Sequence, residues 1–124
     1  MKKILVVEDT LILAKNITDI LRMEGYNICV THNGREALEA LKEFQPSLII
    51  TDLVMAEMDG IEMIQKIRAS EEFRDIPIIV LSAKVTEDTP DQPLYTGADL
   101  FLRKPCNIDY LIDSVASFLA DERA

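Results

Sequence analysis

Five short apolar runs alternate along this chain with stretches whose apolar residues recur at helical spacing. The first run, Ile4-Leu5-Val6-Val7, is rich in β-branched residues and shows no polar alternation. A strand covered on both faces reads this way, as in a parallel sheet. Asn27 to Thr31, Leu48 to Thr51, Ile76 to Leu81 and Asp99 to Arg103 read as four more strands. The last is the weakest, and Pro77 is tolerable at the start of the fourth. Between them, Leu13, Ile17, Ile20 and Leu21 form a helical stripe with Lys15, Asp19 and Arg22 opposite, and Gly25 is the expected stop. Asn33, with Glu36 three residues on, reads as a capping-box start ahead of Ala37, Leu38, Leu41 and Phe44, and Pro46 lies beyond that helix. Asp59 and Glu62 make another start signal, followed by Ile61, Ile64 and Ile67. Asn107 is the expected cap of a final helix carrying Ile108, Leu111, Ile112, Val115, Phe118 and Leu119 on one side. Five βα units in 124 residues predict one α/β domain, residues 1–124, with a parallel sheet and helices on both faces. Right-handed crossovers make that sheet doubly wound.

Composition narrows the function classes. At 48% hydrophobic the chain can build a core, and its formal net charge of −9 argues against direct nucleic-acid binding, which calls for a basic face. No apolar run approaches the roughly 20 residues of a membrane span. The N-terminal MKKILVVEDT is interrupted by Glu8-Asp9 and lacks the apolar core of a secretory signal, so it reads as a strand of a cytoplasmic protein. Cys29 and Cys106 match no metal spacing and read as reduced, partly buried thiols. His32, the single histidine, reads as a surface residue beside a turn.

In open α/β sheets, ligands bind outside the carboxyl ends of the strands. Strand one ends in Glu8-Asp9, strand three in Asp52, strand four in Ser82 and strand five in Lys104-Pro105. Each has an ordinary structural use alone; Asp9 or Thr10, for instance, suits a helix cap. Three carboxylates, a hydroxyl and an ammonium at one edge are harder to explain that way. Clustered carboxylates repel and take up protons unless a cation lies among them. Hard oxygen ligands with open positions suit Mg²⁺, which bridges carboxylates to phosphate. Asp52 then has the chemistry of a nucleophile that forms an aspartyl phosphate, with Ser82 and Lys104 on the remaining phosphoryl oxygens.

The segments ILVVEDT, LIITDLVMAEMDG, PIIVLSA and GADLFLRKP, in this order and spacing, resemble the receiver domain of two-component response regulators over nearly the whole chain. The resemblance implies a flavodoxin-like five-stranded parallel sheet in the order 2-1-3-4-5 with five helices. It implies that Asp52 is the phosphoacceptor, that Asp9 binds Mg²⁺ directly and Glu8 through a water, and that the carbonyl of Val54 adds a metal oxygen. Ser82 would be the switch hydroxyl, Phe101 the aromatic switch residue and Lys104 the phosphoryl contact. The Lys104–Pro105 bond is expected to be cis, which only a proline makes cheap.

Four departures from that family stand out. Ala56 occupies a position that usually carries proline, and Phe101 one that is often tyrosine. Val54 and Lys84 occupy positions resembling family tuners of phosphoryl lifetime, with simple loop packing and solvation as the plain alternative. The fourth helix of the family would fall in KVTEDTPDQPLYTGAD, where Pro90 and Pro93 each cost roughly 3 kcal/mol in a helix interior. That helix is therefore expected to be shortened or irregular.

The leading functional expectation is a stand-alone receiver that accepts a phosphoryl group from a phosphohistidine on a sensor histidine kinase or histidine phosphotransfer protein. It would signal to a downstream protein partner by shifting a conformational equilibrium, catalysing its own phosphorylation and dephosphorylation rather than acting as an enzyme on other substrates. The alternatives are a receiver-like interaction module that is not phosphorylated, and a haloacid-dehalogenase-type phosphatase. The latter would need a DxD nucleophile after the first strand, where this chain has EDT. Dinucleotide binding is disfavoured because no GxGxxG follows that strand, and flavin binding because EDTLIL offers anions there.

Overall fold

Parity of burial along the strands organises the molecule. In β1 (Lys3–Val7), Ile4 and Val6 pack into one apolar cluster and Leu5 and Val7 into another. The same split divides Leu48 and Ile50 from Ile49 in β3 (Leu48–Thr51). In β4 (Ile78–Ser82) it divides Ile79 and Leu81 from Ile78 and Val80. Successive side chains of a strand point to opposite faces, so the sheet has a core on each side. This is why the runs are continuously apolar.

The computed structural model describes residues 2–52, 60–82, 98–103 and 108–121. Besides those three strands it contains β2 (Asn27–Thr31) and β5 (Leu100–Arg103), with helices α1 (Leu11–Met23), α2 (Gly34–Phe44), α3 (Gly60–Ala69) and α4 (Ile108–Asp121). The sheet order is β2-β1-β3-β4-β5 and every pairing is parallel. One face is covered by α1 and α4, through Ile17, Leu21, Leu111, Val115 and Leu119. The other is covered by α2 and α3, through Ala37, Leu41, Met63, Ile64 and Ile67. Each fully buried aliphatic side chain contributes roughly 1.5–3 kcal/mol relative to exposure. The doubly wound α/β architecture and strand order expected from the sequence are thus observed. The helix expected around Pro90 and Pro93 lies outside the described residues, as do Ala56 and the expected cap residues Asp59 and Asn107.

Local signals explain most boundaries. Helix α1 ends in a Schellman arrangement: Gly25, at φ +96°, donates to Arg22 O at 2.9 Å, and Tyr26 donates to Leu21 O at 3.3 Å. Asn33 caps α2 by accepting from Glu36 N at 2.8 Å, and the Glu36 carboxylate accepts in turn from His32 N at 3.0 Å. That is a capping box displaced by one residue. Thr10 is the N-cap of α1 by backbone position, without a side-chain cap bond.

Two boundaries differ from expectation. Strand β4 begins at Ile78 rather than Ile76. Ile76 N donates back to Phe73 O in a turn, and Pro77 has no N–H, although its carbonyl accepts from Ile49 N at 3.0 Å. Strand β5 begins at Leu100, because Asp99 uses its carboxylate and its N–H to join β4 from outside the strand. Ile108, expected on the apolar side of the last helix, is exposed.

Candidate functional site

The parallel register of β1 and β3 sets Val7 level with Thr51. The ladder runs one residue further on each side: Asp52 N donates to Val7 O at 3.1 Å, and Glu8 N donates to Thr31 O at 3.0 Å. Glu8 and Asp52 therefore leave adjacent central strands at the same level of the carboxyl edge. From β1 the chain runs through α1 to β2 on one side, while β3 lies on the other. This is a switch in strand order, the place where open α/β sheets bind their ligands.

Sequence reasoning put Glu8, Asp9 and Asp52 in one site, and the structure brings them together. One carboxylate oxygen from each lies within 4.8 Å of the others. Glu8 is 2% exposed, Asp52 is half-buried and Asp9 is exposed. The cluster thus runs from buried Glu8 to exposed Asp9. A Glu8 carboxylate oxygen accepts from Thr10 N at 3.2 Å, which fixes that side chain against the first turn of α1. Three oxygens this close could hold a small divalent cation, whose ligands lie about 2.0–2.1 Å from the metal. The donor set is all carboxylate, the hard-oxygen chemistry that Mg²⁺ favours.

Three supporting contacts escaped the sequence reading. Buried Thr51 donates its hydroxyl to Asp52 O at 2.8 Å, and buried Thr31 donates to Val6 O at 3.4 Å. Both tie strand ends beside the carboxylates. His32 is exposed beside a turn, as expected, but its Nδ1 also lies 3.2 Å from the Glu8 carbonyl. A carbonyl only accepts, so the contact requires the tautomer protonated at Nδ1. Small hydroxyls at strand ends are common, and nothing in a run of letters marks these contacts as different.

Ser82 ends β4. The β3–β4 register pairs Thr51 with Val80, so the Ser82 backbone stands one level beyond Asp52 toward the carboxyl edge. It pairs with Arg103, the last residue of β5. The side chains of Ser82 and Phe101 are not among those described. Val54, Lys84, Lys104, Pro105 and Cys106 lie outside the described residues. Cys29 is a free, partly buried thiol, and desolvation raises its pKa above the usual 9.0.

Known proteins share this fold. The family profile of the response regulator receiver domain matches residues 4–116. The polar-differentiation response regulator DivK of Brucella anthropi is 29% identical over 120 residues, covering 97% of this chain and 98% of its own. The receiver domain of a signal transduction histidine kinase from Syntrophus aciditrophicus superposes with a TM-score of 0.91 at 35% identity, over 98% of this chain and 92% of that one. The receiver domain of the sensor histidine kinase PA1611 from Pseudomonas aeruginosa has a TM-score of 0.88 at 27% identity, over 96% of this chain and 98% of its own. That protein was solved with a magnesium ion coordinated in its active site cleft. With its parallel order, its edge carboxylates and a family match across most of its length, this chain belongs to the response regulator receiver-domain family of two-component signalling.

Proposed function

We propose that Asp52 accepts a phosphoryl group from a phosphohistidine on a sensor histidine kinase or histidine phosphotransfer protein. The observation that carries this reading is the convergence of Glu8, Asp9 and Asp52 within 4.8 Å at the strand-order switch. A carboxylate oxygen of Asp52 attacks phosphorus, and the P–N bond to the donor imidazole breaks. The electron pair stays on the imidazole nitrogen, which takes up a proton. Asp9 and Asp52 would hold Mg²⁺, with Glu8 acting through a water and, by the sequence match, the Val54 carbonyl as a further oxygen. When bound, that ion neutralises charge on the incoming group and offsets the repulsion among the three carboxylates. Protein residues contribute mainly positioning and charge, as phosphoryl transfer requires.

The assignments of Ser82, Phe101 and Lys104 as switch and phosphoryl-contact residues rest on the sequence match at those positions. So do Val54 and Lys84 as lifetime tuners and a cis bond before Pro105. In the same reading the chain catalyses its own phosphorylation and dephosphorylation in the cytoplasm and passes the signal to a downstream protein. No helix among the described residues is long and apolar enough to cross a membrane.

The test is incubation with Mg²⁺ and acetyl phosphate followed by intact mass measurement. Wild type gains one acid-stable, base-labile phosphoryl group and Asp52→Ala gains none. A wild type that stays unmodified where a control receiver is labelled overturns the proposal in favour of a binding module.

A further inference from the structure

The far end of the sheet carries a charged junction that the phosphoryl chemistry does not use. Asp99, immediately before β5, accepts with one carboxylate oxygen from both Arg68 Nη2 and Ile78 N, each at 2.8 Å. Its own N–H donates to Ile78 O at 2.8 Å. Arg68, in the last turn of α3, also donates through Nη1 to the carbonyls of Arg74 and Ile76, both at 2.7 Å. One guanidinium thus joins the end of α3, the turn before β4 and the beginning of β5. The Arg68 side chain is 26% exposed, so these bonds are partly shielded from water.

Strand β5 is short, lies at the sheet edge and, among the described strands, pairs with β4 alone. A one-residue slip would turn buried Leu102 to the wrong face. A two-residue slip preserves the faces and puts Leu100 where Leu102 was, so apolar patterning alone does not forbid it. That slip would move the strand by about 6.6 Å, at roughly 3.3 Å per residue. The Asp99–Ile78 bond pair and the Arg68 bridge do forbid it, because they exist at one register alone. In that register Ser82 stands opposite Arg103, and Lys104 follows in the chain.

We propose that Arg68 and Asp99 are positioning residues: they pin β5 against β4 at the amino end of these strands and so hold Arg103 opposite Ser82 at the carboxyl end for phosphoryl transfer. This rests on the phosphoacceptor reading above. The Glu8–Asp9–Asp52 cluster is carried by β1 and β3, which the pin does not touch, so cation binding and phosphoryl transfer separate.

The experiment compares wild type, Asp99→Ala, Arg68→Ala and Asp99→Asn at a temperature where circular dichroism shows each folded. Mg²⁺ affinity is read by titration, the phosphorylation rate with acetyl phosphate by intact mass, and β4–β5 pairing by backbone NOEs. Asp99→Ala and Arg68→Ala keep Mg²⁺ affinity within about twofold but are phosphorylated about tenfold more slowly, since small misplacements of reacting groups cost rates of this order. Their NOEs between Ile79 or Leu81 and Leu100 or Leu102 weaken. Asp99→Asn keeps an oxygen for Ile78 N and recovers most of the rate. Folded Ala variants phosphorylated at the wild-type rate overturn the positioning role and leave the phosphoacceptor reading standing. Ala variants that lose Mg²⁺ affinity and rate together overturn it as well. A wild type that takes no phosphoryl group overturns both.

Discussion

Replacing Asp52 by asparagine should make the metal-free protein more stable. Its carboxylate has an oxygen within 4.8 Å of one from Glu8 and one from Asp9. Two unit charges at that distance repel by about 0.9 kcal/mol in water and about 3.5 kcal/mol at an effective dielectric constant of 20. Asp9 is exposed and lies near the lower figure; Glu8 is buried and lies nearer the upper. Charge shared over two oxygens lengthens the effective separation, so removing one charge is worth about 2 kcal/mol. Asparagine keeps the shape and one carbonyl oxygen. For 124 residues, unfolding entropy of roughly 2.1 cal/mol/K per residue converts this into a rise of about 8 °C. The assay is thermal unfolding by circular dichroism at pH 7.5 and low salt, in EDTA and in MgCl₂. Mg²⁺ at ten times its dissociation constant should raise wild type by about 1.4 kcal/mol, or about 5 °C. Asp52→Asn, with one of the three carboxylates removed, should gain less. Half-molar NaCl should shrink the gap in EDTA through screening. An Asp52→Asn protein that melts below wild type in EDTA, with a wild type indifferent to Mg²⁺, refutes this electrostatic reasoning.

Other consequences follow from single residues. Gly25→Ala should cost about 1–2 kcal/mol in chemical denaturation: φ is +96° and nothing lies within 4 Å of an added Cβ, so the loss is backbone strain alone. Asn33→Ala should cost about 1 kcal/mol by removing the acceptor for Glu36 N, while Asn33→Ser should recover most of it. Burial raises the Cys29 pKa, so its neutral thiol is favoured in the folded state. The stability linked to that group is full below the ordinary thiol range and declines as pH rises through 9 and beyond, where the unfolded chain ionises first. Peptide mapping after iodoacetamide at pH 8 should show Cys29 modified more slowly in folded than in unfolded protein.

Much of this architecture was legible because its signals are local. Runs such as Leu48-Ile49-Ile50 are apolar at every position since both faces are covered, and the two packed clusters divide them by parity. Gly25 and Asn33 announced helix ends through backbone requirements that involve only near neighbours. The carboxylate edge was legible for a topological reason: residues that end parallel strands share an edge. What escaped was long-range. Asp99 read as the first residue of a strand, yet its carboxylate reaches Arg68, 31 positions away, and Ile78 N, 21 positions away. Likewise the His32 contact with the Glu8 carbonyl spans 24 positions. Neither periodicity nor capping rules see a polar side chain whose partner is brought near only by the finished sheet.

The most direct test of the central claim is to locate the phosphoryl group. After reaction with Mg²⁺ and acetyl phosphate, borohydride reduction converts an aspartyl phosphate into homoserine, which tandem mass spectrometry places in the sequence. Homoserine is expected at position 52 and nowhere else. Homoserine at position 9, a stable phosphate on Ser82, or an unmodified peptide carrying Asp52 would contradict it.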